Sequence, residues 1–122
     1  MKVQSDRYPY MPVWAELLTR KLREVYPQAE ITKDNLSSGG STAKWGVEHV
    51  NELFDRVAVP DLVFLGFGMN CMWDPAEEFI GYLDTIMTEL RKRNPECEFV
   101  LYPAMTANTE IQTYQNDFME TY

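Results

Sequence analysis

Two short segments of this sequence hold residue types suited to chemistry on a developing negative charge. Gly39-Gly40 stands just ahead of an expected helix start, where backbone N–H groups can face a ligand with no side chain intervening. Glycines there equally serve a tight strand-to-helix turn that needs their backbone angles. Gly66-Phe67-Gly68-Met69-Asn70 follows the most apolar strand signal in the chain. Asn70 can aim its amide N–H₂ into the space above the strand ends, where the first segment also points. A side-chain amide beside a backbone donor is a usual way to build an oxyanion hole. An asparagine at that point also suits a left-handed turn or a bond to its own loop backbone.

Several other chemistries are excluded by residue type. Gly39-Gly40-Ser41-Thr42 lacks the lysine and the spacing of a Walker phosphate loop, and the three-glycine spacing of a dinucleotide loop is absent. Two cysteines, Cys71 and Cys97, cannot make a four-ligand zinc site, and one pair is not a disulfide scaffold. Both are expected as reduced thiols, with no metal and no cofactor. A nucleophilic role for Cys71 would require a nearby base, and none is visible. His49 is the only histidine; within Val47-Glu48-His49-Val50 it is expected inside a helix, partly exposed and a turn or more from the loop.

The 122 residues carry 19 acidic and 11 basic side chains, a formal charge of −8. A duplex-binding surface needs clustered cations, and the one dense cluster, Arg91-Lys92-Arg93, reads as a helix C-terminus complementing the helix dipole. Nucleic acid is not expected as a partner. No apolar run approaches the ~20 residues of a membrane span, and Met1 to Tyr10 lacks the apolar centre of a signal peptide. Compartment and oligomeric state stay open, although exposed sheet edges would favour self-association.

The elements that must position these segments alternate between helical and extended periodicity. Pro12 suits a first helical position, and Trp14, Leu17, Leu18, Leu22 and Val25 share one helical face until Pro27. A short strand is expected around Ala29 to Lys33. The turn Asn35 to Thr42 leads into a second helix with Trp45, Val50, Leu53, Phe54 and Val57 on its apolar face. Leu62-Val63-Phe64-Leu65-Gly66 reads as a central strand covered on both faces. Asp74 is expected to cap a third helix, with Pro75 at its first position, Glu77 closing a capping box, and Phe79, Ile80, Leu83, Ile86, Met87 and Leu90 on one face. Cys97 to Tyr102 reads as another buried strand, Pro103 to Glu110 as a loop, and Ile111 to Tyr122 as the start of a further helix.

Strands alternating with amphipathic helices imply parallel pairing through crossovers. The expected fold is α/β: a doubly wound three-layer α/β/α sandwich with a parallel, flavodoxin-like sheet, in one domain over residues 1–122. The first helix has no evident strand before it. In the order 2-1-3-4-5 that strand is the central one, so either Lys2 to Tyr8 supplies it poorly or residues upstream of Met1 do. The second is the expectation, which makes the chain an incomplete, internal portion of a longer protein.

Asn35-x-Ser37-x-Gly39-Gly40-x-Thr42, then Pro60-Asp61-Leu62-Val63, then Gly68-Met69-Asn70 resembles the second and third sequence blocks of the SGNH (GDSL-type) hydrolases. The resemblance spans roughly Trp14 to Tyr102. It implies an ester hydrolase, an acylhydrolase, lipase or esterase acting on a small-molecule ester such as an acylated carbohydrate or lipid. By the same resemblance Gly40 offers its backbone N–H, and Asn70 its side-chain amide, to the oxyanion of a tetrahedral intermediate, while Asn35 shapes the loop. Where the family has aspartate after the asparagine, this chain has Cys71. The family's Gly-Asp-Ser block and its Asp-x-x-His block are both absent from these residues. In the family the serine ends the strand before the first helix, so the missing strand and the missing nucleophile coincide. The substrate-binding residues cannot be read from the sequence, although Trp45, Phe67, Trp73 and Tyr102 stand near the loops. The alternative expectation is a non-catalytic flavodoxin-like binding or interaction domain.

Overall fold

The computed structural model describes residues 13–71 and 74–102. The chain divides into two compact units, Met1–Gly39 and Gly40–Tyr122.

In the first unit a helix, α1, runs from Trp14 to Val25, with Val13 at its N-cap, Glu16 in the first turn and Arg23 in the last. The charges complement the helix dipole at both ends. Because Val13 is the cap, the first helical position is Trp14; Pro12 lies outside the described residues. Buried Thr19 donates its hydroxyl to the Ala15 carbonyl at 2.7 Å. The strand expected at Ala29 to Lys33 does not form. The physical reason is visible at Ile31: the Arg23 guanidinium donates twice to its carbonyl, at 3.0 and 2.6 Å. A backbone acceptor engaged by a side chain is not serving a strand ladder. Further on, the Asn35 carbonyl oxygen of the side chain accepts the Ser37 N–H at 3.0 Å, a local Asx turn.

The second unit contains α2 (Ala43–Phe54), β1 (Leu62–Leu65), α3 (Ala76–Arg93) and β2 (Glu98–Leu101). The two strands are parallel, pairing Leu62 with Glu98 through Leu65 with Leu101, and α3 makes the crossover between them. The architecture is therefore mixed α/β, with three helices and a two-stranded parallel sheet among the described residues. At the strand entrances, the Asn94 amide donates to the Pro60 carbonyl at 3.1 Å and to Asp61 at 3.2 Å.

The core joins α2, α3 and the sheet through buried Val50, Val63, Leu65, Ile86, Leu90 and Cys97. A second cluster of Ala43, Cys71 and Phe79 lies under the loops, and Phe67 packs against both. The buried stripe of α2 runs through Ala43, Gly46 and Val50, with Val47 and Phe54 beside it. It differs from the expected face because Gly46 admits its neighbours so closely: a Cβ there would stand 2.8 Å from the tip of the Phe67 ring and 2.9 Å from Ile86 Cδ1. Trp45 is half-buried, lies off that stripe and stacks on His49 instead.

Four further expectations are corrected. Burial along β1 alternates, with Val63 and Leu65 inward and Leu62 exposed, since both helices of this unit pack on one side of the pleat. β2 is largely exposed rather than buried, with Phe99 alone half-buried between exposed Glu98, Val100 and Leu101. On α3, Ile80 is 62% exposed, because one residue of helical rotation, about 100°, carries it off the stripe through Phe79, Ile86 and Leu90. Pro75, and not Asp74, occupies the N-cap of α3, so the first helical position is Ala76 and no side-chain cap bond forms at the cap. Its fixed backbone angle suits that entry, and its carbonyl accepts the Phe79 N–H at 3.0 Å. Residues 2–8, the alternative source of the missing strand, and residues 103–122, with the loop and helix expected there, lie outside the described residues.

Candidate oxyanion site

The two candidate segments meet. Gly40 has φ +78°, a left-handed turn open to an L-residue only with strain, and a Cβ built there would touch nothing within 4 Å. The chain then extends through Thr42, whose hydroxyl oxygen caps α2 by accepting the Trp45 N–H at 3.1 Å. That cap fixes where the helix begins and hence where the glycine turn sits.

The other segment leaves the carboxyl end of β1. Phe67 anchors it in the core, Gly68 turns it at φ +133°, and the Cys71 N–H closes the turn on the Gly68 carbonyl at 3.0 Å. Met69 and Asn70 are exposed at the tip, while Cys71 turns inward and is 1% exposed. The Asn70 side-chain amide donates to the Ser41 carbonyl at 3.3 Å, and the Cys71 sulfur accepts the Ala43 N–H at 3.3 Å. An amide side chain has two N–H donors, so the Ser41 bond leaves Asn70 a second hydrogen with which to meet a ligand. Gly40 and Asn70 are thus on facing loops, at the N-terminus of one helix and the carboxyl end of one strand.

The remaining candidates are placed elsewhere. Asn35 and Ser37 form their Asx turn within the first unit. His49 is held inside α2: its Nδ1 lies 2.8 Å from the Trp45 carbonyl, and its ring stacks on Trp45 with centroids 4.5 Å apart and planes 18° apart. With Nδ1 donating to that carbonyl, the ring serves the helix. Of the aromatic residues near the loops, Phe67 is core, Trp45 backs His49, and Tyr102 is half-exposed with its ring over Gly66. Trp73 lies outside the described residues.

Electrostatics argue against a thiolate. Burial pushes the Cys71 thiol up from its ordinary value, outweighing the Ala43 and Gly68 amides that pull it down, and burial raises Cys97 as well. Both cysteines are free. The cationic run at the end of α3 is engaged locally. Arg91 lies 5.2 Å from the centre of the Phe99 ring, and Lys92 pairs with Glu89. Arg93 reaches Asp55 at 2.7 Å and Asn51 at 3.1 Å. Among the described residues no group of three or more His, Cys, Asp or Glu could hold a metal ion. No helix among them is long and apolar enough to cross a membrane.

Sequence reasoning missed two structural contributors. Gly46 is the close-approach point of α2, and a lone mid-helix glycine was the available signal. Cys71 bridges the loops through its sulfur, a role that only the position after Asn70 could have suggested. Comparison with known proteins gives no matching family model, no matching curated sequence and no matching solved structure.

Proposed function

We propose that this chain is the oxyanion-binding portion of an SGNH (GDSL-type) serine ester hydrolase. In this reading the Gly40 N–H and the Asn70 side-chain amide stabilise the tetrahedral oxyanion formed when a serine attacks a small-molecule ester. The serine and the histidine that activates it lie outside these 122 residues. The complete fold is then a three-layer α/β/α sandwich whose sheet extends beyond the β1–β2 pair.

The observation that carries the reading is the Asn70-to-Ser41 bond, which sets the amide side chain against the residue following Gly40. Donors held in place before the reaction stabilise an oxyanion without reorganisation when its charge develops. The inward-turned, protonated Cys71 and the helix-bound His49 support a division of labour in which nucleophile and base come from elsewhere. Reading the coding sequence upstream of Met1 tests the proposal. A strand ending in Gly-Asp-Ser is expected there, and its absence would reject the hydrolase reading for a non-catalytic interaction domain.

A further inference from the structure

We propose that Cys71 is the positioning residue of this site: its sulfur holds the turn that carries Asn70 against the start of α2, just beyond the turn that carries Gly40. The inference rests on the oxyanion reading for the purpose that the positioning serves, and on its own contacts for the positioning itself.

The first residues of a helix have N–H groups with no partner inside the helix. Thr42 satisfies that of Trp45. Ala43 is 0% exposed, beyond the reach of water, and its N–H is taken by the Cys71 sulfur at 3.3 Å across 28 residues. The Cys71 N–H in turn closes on the Gly68 carbonyl at 3.0 Å, so one residue joins the helix start, through its sulfur, to the turn, through its backbone. The neighbouring Asn70-to-Ser41 bond is exposed, and an exposed hydrogen bond competes with water and holds a loop only weakly. The buried contact is the anchor, and its position one residue from Asn70 limits how far that side chain can wander. A thiol suits this place as a neutral acceptor small enough to be enclosed between Ala43 and Phe79.

Amide NMR on the full 122-residue chain tests this without reference to catalysis. The readouts are hydrogen exchange at Ala43 and the two side-chain amide proton signals of Asn70. Cys71→Ala is expected to speed Ala43 exchange at least tenfold and to move both Asn70 signals towards those of a solvated amide, whereas Cys71→Ser retains the wild-type pattern. Ala43→Pro removes the donor instead. Proline is well tolerated at a first helical position, and Thr42 before it is already extended at φ −103°, ψ 167°. It is expected to shift the same Asn70 signals while leaving α2 intact. Asn70 signals unchanged in either folded variant would overturn the proposal. So would collapse of the whole spectrum in both variants, which would make Cys71 a support of the fold and not of Asn70. Failure of the hydrolase reading would leave these shifts untouched.

Discussion

The side chain of Asn70 reaches the carbonyl of Ser41, 29 residues earlier in the chain, at 3.3 Å. It does so from the exposed tip of a turn whose two flanks, Phe67 and Cys71, are packed inward. The same pair of loops is joined again, in the interior, by the Ala43 N–H and the Cys71 sulfur. A surface donor is thereby held at a fixed place by buried neighbours, which is what preorganised charge stabilisation requires.

Gly40→Ala should cost about 1–2 kcal/mol of stability. The residue is left-handed at φ +78°, yet its added Cβ would meet nothing within 4 Å, so the whole cost is backbone strain. Alanine keeps the N–H. Urea unfolding monitored by tryptophan fluorescence measures the loss, and Gly40→Asn, which tolerates this conformation better, should lose less.

Gly46→Val should destabilise by about 1–3 kcal/mol through overpacking. Phe67 and Ile86 already occupy the space where a first side-chain carbon would stand. The shift in urea midpoint, with unchanged slope, is the measurement. An unaltered midpoint would mean that α2 and α3 do not meet at this residue.

The cysteines give a pH dependence with a definite sign. Both thiols are raised from the ordinary value of 9.0 by burial, so the folded protein holds their protons more tightly than the unfolded chain. Their contribution is complete below about pH 9 and declines as pH rises from there towards the folded values. Unfolding free energy measured from pH 8 to 10.5 should fall, and fall less in the Cys71→Ser, Cys97→Ser double variant. Native protein at pH 8 should react slowly with a thiol reagent and rapidly once urea is added.

The 122-residue chain alone should not hydrolyse p-nitrophenyl acetate above the buffer rate, since His49 is bound into α2 and both thiols are buried. Turnover blocked by a serine-directed phosphonate would show that a nucleophile lies within the chain after all.

The helices and the β1–β2 pair were legible because their apolar periodicity and their proline and asparagine boundaries are local signals. What local pattern could not convey was which side of each element meets another. Trp45 reads as core and is instead half-buried against His49, off the stripe on which Gly46 and not a large side chain marks the contact. Ile31 looked like a strand centre, yet Arg23, eight residues earlier, claims its carbonyl. At the site, the meeting of the Gly40 and Asn70 loops was expected from a place after consecutive strands, yet only the Asn70 loop leaves a strand among the described residues. The Cys71 bridge was not expected, because a sulfur accepting from a helix start leaves no spacing pattern in a sequence.

The most direct test is the turnover of Asn70→Ala in the serine-bearing protein that the proposal requires. Removing one oxyanion donor should lower kcat by about 10²–10³-fold, with KM little changed and the fold retained. A kcat within threefold of the unmodified enzyme would contradict the assignment of Asn70, and with it the claim that these two loops hold an oxyanion between them.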